Sequence, residues 1–415
     1  MDELGQEPAS SNISVKQVGT NMSFYELYDE RLTHDEFALV EKARAFCEGA
    51  FSDELLKAYT EGRSYDASWI QRWADAGFLG LQTKKEFGGH EASFLCKVRV
   101  AQVMAEHGFG PAFAINNLQG SVTRISRGGS DVQREHLMEA MRSGAILGAP
   151  VMTEPGAGSD LSSLQTTATA VDGGWVINGQ KAWITNGTVI GSAALLAKLV
   201  SGPSAGELAT FLVPMDDETT AQREEIIVPG GRAFRLAVLT FQNHFVPGWA
   251  MFGEAGHAFK ASLAAINAAR VHVAAMCVAA LHACLRDAVH YAGERKAFGR
   301  PLLGHQGLSW ELSEVSIRLE AASALVFRAA KLISEGQAAL VQAAQAKKFA
   351  VDTAIWGIDQ CIRAMGAAGT TNAHRLAMQA AEVRFSAYGD GTNEMLLDRI
   401  AKSLGKEYSK PDRVQ

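Results

Sequence analysis

The chain has 415 residues, of which 47% are hydrophobic and 20% charged, the composition of an ordinary globular protein long enough for two or three domains. Its formal net charge is −6, so the chain has no excess of basic residues, which argues against a nucleic-acid partner. Its five cysteines form no C-x-x-C pair, so we expect free thiols and no metal site. No apolar run approaches the ~20 residues of a membrane span. We therefore expect a cytoplasmic protein with no membrane partner.

The beginning of the chain is polar and lacks the apolar core of a signal peptide, so residues 1–30 are predicted to be a disordered leader. Helical periodicity follows Thr33, which forms a capping-box pattern with Glu36. Further helix-spaced apolar residues continue to an amphipathic segment at 133–143. The sequence therefore predicts an N-terminal helical domain over residues 31–146.

Alternation and turn signals replace the helical period in residues 147–248. Residues 166–171 and 175–179 flank an Asp-Gly-Gly turn, which predicts a β-hairpin. Further strands are predicted at 193–199, 209–213 and 236–241. This middle domain is predicted to be a sandwich or small barrel of short antiparallel strands.

Two short segments of the middle domain form the first candidate site. Residues 152–160 read M-T-E-P-G-A-G-S-D, and the proline and alternate glycines predict a loop that a flat, charged ligand can approach closely, with Thr153 and Ser159 as hydroxyl partners. The loop is not a dinucleotide fingerprint, because Leu161 stands where the third glycine would be. Residues 181–187, K-A-W-I-T-N-G, place a large ring and a hydroxyl before a turn dipeptide.

The last third, residues 249–415, predicts a helical bundle. Long helices are expected over 257–293, 306–335 and 336–366, and their alanine-rich faces would allow close subunit packing. The segment E-R-K-A-F-G-R-P-L, from residue 294, suits either a pyrophosphate and a flat ring or the dipole of a helix C-terminus.

The segments T-E-P-G-A-G-S-D, W-I-T-N-G and R-K-A-F-G, in this order, resemble the acyl-CoA dehydrogenase family, and the resemblance covers roughly residues 32–406. It implies an α+β multidomain fold, with an N-terminal α-helical domain, a middle antiparallel β domain and a C-terminal four-helix bundle. It also implies a flavoprotein oxidoreductase that binds FAD, with the N-terminal domain walling one side of the substrate pocket.

The resemblance implies two groups of FAD-binding residues. The middle domain would supply Met152, Thr153, Gly158, Ser159, Trp183 and Thr185. The C-terminal domain would supply Arg295, Phe298, Gln306, Met365, Gly366, Gly369, Thr392 and Glu394. In the family, residues at the positions of Arg295, Phe298 and Gln306 reach the flavin of a neighbouring subunit, which implies a homodimer or homotetramer.

The stretch Y-G-D-G-T-N-E at 388–394 bears on catalysis. In the family a carboxylate removes the α-proton of an acyl thioester while the β-hydrogen leaves as hydride to flavin N5. Many members carry a Glu base directly before Gly-Thr; the residue here is Asp390, roughly 1.5 Å shorter in reach. The other family position for the base is Ala269, so the resemblance implies that Asp390 is the catalytic base or that no such base exists.

The resemblance also implies substrate-binding roles for Ser159, Arg270, Tyr388 and Gly391, with Arg270 facing the phosphate end of the acyl carrier. The leading hypothesis is FAD-dependent α,β-dehydrogenation of an acyl thioester bound to CoA or a carrier protein, with an electron-transfer flavoprotein as possible partner. The alternatives are a flavin-dependent oxidase or monooxygenase of the same fold, similar to nitroalkane oxidase or a hydroxylase, and a catalytically dead scaffold.

Overall fold

The computed structural model of the protein describes residues 24–228 and 231–408, which form three consecutive regions. The first region is helical: α1 Glu26–Asp29, α2 His34–Cys47, α3 Ala50–Thr60, α4 Ser68–Asp75, α5 Phe94–His107, α6 Phe109–Gly128 and α7 Asp131–Arg142. The predicted leader lies mostly outside the described residues. Its last part is folded instead, because α1 lies there and buries Tyr28 in the core.

Capping boxes begin two of these helices. The Thr33 hydroxyl accepts a hydrogen bond from the Glu36 N–H at 3.3 Å, and the Glu36 carboxylate accepts one from the Thr33 N–H at 3.0 Å. Ser130 and Gln133 make the same reciprocal pair before α7. Each box satisfies two N–H groups that have no partner within the helix, and the box predicted at Thr33 is confirmed.

The second region is a β domain of eight strands: β1 Gly148–Val151, β2 Thr167–Val171, β3 Gly174–Ile184, β4 Ser192–Leu199, β5 Leu208–Pro214, β6 Ala221–Glu225, β7 Ala237–Pro247 and β8 Met251–Phe252. They form one sheet in the order β6-β7-β3-β2-β4-β5-β8, with β1 beside β4. The predicted hairpin is confirmed, because β2 and β3 pair antiparallel with Val171 opposite Gly174.

Two pairings of the sheet differ from the expected antiparallel pattern. Both β1 and β2 run parallel to β4. Parallel neighbours need a long connection rather than a tight turn, and the chain between β1 and β4, which includes β2 and β3, supplies one. This connection carries the 152–160 loop, so the loop lies at one end of the sheet.

The third region is helical and contains α8 Ala258–Glu294, the short strands β9 Lys296–Ala297 and β10 Arg300–Pro301, α9 Gln306–Ser334, α10 Leu340–Met365, α11 Leu376–Val383 and α12 Asn393–Tyr408. Helices α8, α9 and α10 pack against one another, and α12 packs against α10. The order of helical, β and helical regions confirms the predicted fold class.

One expectation about α8 needs correction. Its part Ala265–Glu294 is long and apolar enough to cross a membrane by length and composition, whereas the sequence was expected to hold no such segment. Its most apolar window is 78% buried inside the protein, because α8 packs against α5 as well as against α9 and α10. The apolar character of this helix is therefore that of the central helix of the bundle.

Candidate active site

The 152–160 loop, here called the flavin loop, is tied to β3 by main-chain and charged contacts. The Ala182 N–H donates to the Thr153 carbonyl at 2.9 Å, and the Lys181 ammonium donates to the Met152 carbonyl at 3.0 Å. These bonds bring the two predicted flavin segments together, since Trp183 follows directly. Thr153, Trp183 and Thr185 therefore belong to one end of the sheet.

A buried ion pair supports the flavin loop from beneath. Lys181 and Glu154 are both buried, and their charged atoms lie 2.8 Å apart. The Glu154 carboxylate also accepts from the N–H groups of Gln165, at 2.6 Å, and Thr166, at 2.9 Å. Burial acts to raise the pKa of Glu154, but the hydrogen bonds from Lys181, Thr166 and Gln165 hold it below its usual value. The carboxylate therefore stays ionised and fixes the loop.

The end of β3 carries an exposed, strained aromatic residue. Trp183 has φ 61° and is 56% exposed, and bulky residues rarely adopt this left-handed backbone region. Asn186 follows at φ 62°, and its amide donates to the Ala114 carbonyl of α6 at 2.9 Å. The anchored turn thus presents an indole ring to the outside beside the flavin loop.

The flavin loop leaves room for a flat ligand. A Cβ atom at Gly156 would meet nothing within 4 Å, and one at Gly158 would meet only Thr153, at 4.0 Å. Neither the Thr153 nor the Thr185 hydroxyl hydrogen-bonds another of the described residues. Open space, free hydroxyls and the Trp183 ring are what an isoalloxazine ring requires of a binding site, so these residues fit FAD.

The second part of the site is the loop that carries Asp390, held by two buried cations. The Lys347 ammonium of α10 donates to the carbonyls of Gly389, at 2.6 Å, and Gly391, at 2.5 Å. The Arg270 guanidinium of α8 donates to the carbonyl of Asp390 itself at 2.9 Å. Three successive carbonyls are therefore fixed from two helices, and Asp390 is held at φ 55°, a conformation that costs energy for a residue with a side chain.

A cavity of about 570 Å³ separates the two loops, with Asp390 and Met152 both in its wall. Ala269, at the other family position for the base, also lines the cavity. Its side chain is a methyl group, so that position supplies no carboxylate. The cavity is bordered by α5, α6, α8 and the β domain, and its volume is in the range of small-molecule sites. Asp390 thus borders the cavity next to the flavin loop.

The electrostatic setting of Asp390 favours a strong base. Burial raises its pKa above the usual value, while the positive charges of Lys347, Arg270 and Lys97 act in the opposite direction. Burial likewise lowers the pKa of Lys347 to about 8 and that of Lys97 to about 8. A carboxylate whose pKa is raised binds a proton more readily once it is ionised, as a general base must.

Arg270, predicted to bind substrate, contacts the loop that carries Asp390. Its guanidinium is buried and bonds the Asp390 carbonyl and, at 2.9 Å, the side-chain oxygen of Asn267. The Arg270 guanidinium therefore positions the base loop, and its contact with the phosphate end of the acyl carrier stays a prediction. Thr392 also has a structural contact, because its hydroxyl accepts from the Met395 N–H at 3.3 Å and so caps α12.

Other predicted residues lie at the surface or at a distance. Ser159, Gly158, Tyr388 and Glu394 are exposed, and Gly391 is half-buried with φ 94°.

Arg295 follows the last residue of α8, and 25 residues of helix at 1.5 Å each separate it from Arg270 by about 37 Å. On a single chain, Arg295 and its neighbours therefore cannot reach a ring beside Asp390.

The distant group forms its own exposed surface. Phe298 is 96% exposed with φ 51°, and Arg295 and Gln306 are exposed beside it in sequence. After α10, Met365 and Gly369 are buried while Gly366 is exposed with φ 62°. The structure thus separates the predicted FAD residues into two groups, which fits their predicted division between neighbouring subunits.

Three residues of the site were not predicted: Glu154, Lys181 and Lys347. The first two stood inside the quoted motifs, where an opposite charge pair was the available signal. Lys347 lies in an alanine-rich helix with no motif around it, and its contacts with residues 389 and 391 span more than 40 positions.

All five cysteines are buried and free, and the described residues hold no group of three or more potential metal ligands.

Comparison with known proteins agrees with this architecture. The chain matches the N-terminal, middle and C-terminal domains of the acyl-CoA dehydrogenase family over residues 33–145, 149–244 and 256–405. It is 34% identical over 382 residues to benzylmalonyl-CoA dehydrogenase of Aromatoleum aromaticum, which covers 89% of this chain and 99% of that protein. The short/branched chain specific acyl-CoA dehydrogenase of Rattus norvegicus is 29% identical over 378 residues, covering 90% and 87%.

The fold also matches solved structures. Butyryl-CoA dehydrogenase from Megasphaera elsdenii superposes with a TM-score of 0.84 at 28% identity, covering 90% of this chain and 98% of that one. Members of this family use FAD, in agreement with the open space and aromatic ring at the flavin loop. The chain therefore belongs to the acyl-CoA dehydrogenase family and is an FAD-dependent oxidoreductase of that family.

Proposed function

We propose that the protein catalyses α,β-dehydrogenation of an acyl thioester, with Asp390 as the base. The observation that carries this proposal is the single cavity bordered by Asp390 and by Met152 of the flavin loop. A thioester in this cavity would have its α-carbon near the carboxylate and its β-carbon toward the flavin loop. A carboxylate in the wall of a cavity, with its pKa raised by burial, is suited to remove the weakly acidic α-proton.

In the proposed reaction the α C–H electron pair becomes the new Cα=Cβ bond and the α-proton passes to a carboxylate oxygen of Asp390. The bound FAD supplies the acceptor for the two electrons and the hydrogen that leave Cβ as hydride. Lys347 and Arg270 hold the backbone on both sides of the base. The residues that would hold FAD are those of the two predicted groups.

The short side chain of Asp390 is compatible with this role through its backbone. Its φ of 55° is supported by bonds to the carbonyls of Gly389, Asp390 and Gly391. This fixed backbone conformation sets the position from which the shorter side chain would reach the substrate. The rigid loop removes the freedom that would otherwise misplace a base by an ångström, an error worth on the order of 100-fold in rate.

The site requires a second copy of the chain. Phe298, Arg295 and Gln306 are exposed about 37 Å along α8 from Arg270, so in this proposal they complete the FAD site of a neighbouring subunit. A homodimer or homotetramer would satisfy this requirement, and the native mass of the purified protein distinguishes the two. A monomer that retains FAD would contradict this part of the proposal.

The test uses purified protein that contains FAD, mixed without oxygen with a series of acyl-CoA thioesters. We expect the yellow colour of the oxidised flavin to bleach with at least one thioester of the acyl classes that the relatives' names give, which are benzylmalonyl, short-chain and branched-chain. If no thioester of CoA or of a carrier protein reduces the flavin, the proposal is contradicted.

The second candidate is an oxidase or monooxygenase, which the presence of aspartate at the base position favours. Admitting air to the reduced enzyme distinguishes an oxidase or monooxygenase from a dehydrogenase. Rapid reoxidation with formation of hydrogen peroxide or a hydroxylated product supports the second candidate. Slow reoxidation supports the dehydrogenase, which would then pass its electrons to an electron-transfer flavoprotein.

A further inference from the structure

The wall of the active-site cavity carries three cationic side chains in addition to Asp390. They are Lys97 of α5 and Arg124 and Arg127 of α6. Two carboxylates, Glu91 and Glu254, also line the cavity; both are exposed, as is Arg127, and Glu254 already faces His257 at 3.2 Å. The cavity wall, which is otherwise largely apolar, therefore holds the buried positive charge of Lys97 and that of the half-buried Arg124 close to Asp390.

Lys97 is the most buried of the three. It is 6% exposed, and its ammonium makes neither an ion pair nor a hydrogen bond with any of the residues in 24–228 and 231–408. The charged and titratable groups that act on it are Asp390, Arg127 and the buried His272 of α8. An unpartnered buried ammonium is costly, so an anion entering the cavity would gain a strong interaction.

The two arginines extend the same charge along α6. Arg124 lies over the Phe252 ring, with 6.0 Å between its guanidinium carbon and the ring centroid. Neither Arg124 nor Arg127 pairs with a carboxylate in the described part of the chain. About one turn of α6 and one turn of α5 thus place cations in the cavity wall without an ion-pair partner among the described residues.

We infer that the acyl group of the substrate carries a carboxylate, which binds Lys97 with support from Arg124 and Arg127. This inference rests on the proposed function and names its substrate class: thioesters of dicarboxylic acids. The position of Lys97 decides the source of the anion. Lys97 lies close enough to Asp390 for each to feel the other's charge, and Asp390 must be at the α-carbon. The phosphates of a CoA arm lie a whole pantetheine away from that carbon.

The experiment compares matched pairs of thioesters with enzyme that contains FAD. Succinyl-, glutaryl- and adipyl-CoA are each compared with the ω-carboxamide analogue of the same length, by the rate of anaerobic flavin reduction. We expect kcat/KM to be at least tenfold higher for one or more of the carboxylates, because a charge-assisted hydrogen bond in a buried site is worth about that factor or more. The preference should persist with N-acetylcysteamine thioesters, which contain no phosphate.

Variants then assign the preference to Lys97. Lys97→Met removes the charge at similar length and should abolish the preference, while Lys97→Arg should retain part of it. Lys85→Met removes an exposed lysine that does not line the cavity and should change nothing. Folding of Lys97→Met is expected, since the change removes an unpartnered buried charge.

Three results would overturn the inference. One is a wild-type enzyme that reduces its flavin with the carboxamides as fast as with the carboxylates. Another is an equal loss for both members of each pair in Lys97→Met, which would make Lys97 only a counter-ion of Asp390. The third is a preference that disappears with the phosphate-free thioesters, which would assign the cations to the carrier arm. Flavin that no thioester reduces would contradict the proposed function itself.

Discussion

Lys181 and Lys97 are both buried lysines at the active site, but their surroundings differ. Lys181 pairs with Glu154 at 2.8 Å and also donates to the Met152 carbonyl. Lys97 faces the cavity without a protein partner among the described residues. The comparison indicates two uses of buried charge: a satisfied pair fixes the flavin loop, whereas an unsatisfied cation remains available to a ligand.

The largest effect is expected when the satisfied pair is broken. Lys181→Met leaves the Glu154 carboxylate buried and unpaired, which costs about 3–5 kcal/mol of unfolding free energy. Urea denaturation of the purified variant measures this loss, and FAD should dissociate more readily because the flavin loop loses its support. Lys198→Met, at an exposed position of β4, is the matched control. A stability loss no larger than that of the control would show that the pair does not fix the loop.

A smaller effect on stability but a large one on rate is expected at Lys347. Lys347→Met frees the carbonyls of Gly389 and Gly391, so the base is no longer held in place, and kcat should fall on the order of 100-fold. The neighbouring Lys348 pairs with Asp352 on the surface at 2.7 Å, and Lys348→Met should leave kcat near the wild-type value. Steady-state rates of the two variants with the same thioester test this difference. Equal rates would mean that the loop keeps its position without Lys347.

The smallest effect, and one of opposite sign, is expected at Lys97. Burial lowers its pKa to about 8, so the charged form is penalised in the folded protein. Lys97→Met should therefore be at least as stable as the wild type at neutral pH. The penalty on the wild type is complete below pH 8 and is relieved as the pH rises from about 8 toward the ordinary lysine pKa of about 10.4. Urea midpoints of both proteins between pH 7 and 10 should converge; a gap that widens with pH would contradict this account of Lys97.

The same pKa predicts how carboxylate recognition depends on pH. Because only the charged ammonium attracts a carboxylate strongly, the preference for glutaryl-CoA over its carboxamide should weaken as the pH rises through about 8. The ratio of kcat/KM values for the pair cancels the titration of Asp390 and Lys347, which both substrates share. A ratio that stays constant from pH 7 to 9 would separate Lys97 from substrate recognition.

Much of the fold and half of the site follow from local sequence. The capping box at Thr33, the Asp-Gly hairpin between β2 and β3, and the proline- and glycine-rich flavin loop depend on neighbouring residues. Glycines on both sides of Asp390 likewise indicate a turn there, while the positive φ of Asp390 itself, 55°, was not predicted. These features could be predicted because short-range geometry decides them.

The remaining features depend on packing between distant elements. Lys347 reaches the Asp390 loop across more than 40 residues, and Lys97 enters the cavity only because α5 packs against α8. Arg270 of α8 likewise bonds the Asp390 carbonyl across 120 positions, a contact that the sequence did not predict. Periodicity identifies such residues as members of a helix, but it does not reveal which helix they face.

The central claim is that Asp390 removes the α-proton, and isotope exchange tests it most directly. The holoenzyme is incubated without oxygen in deuterium oxide with a thioester that reduces its flavin, and α-deuterium is measured by mass spectrometry. The account predicts α-exchange by the wild type and its loss, by a factor of about 1,000 or more, in Asp390→Asn, with FAD still bound. Exchange at the wild-type rate in Asp390→Asn would show that another group is the base.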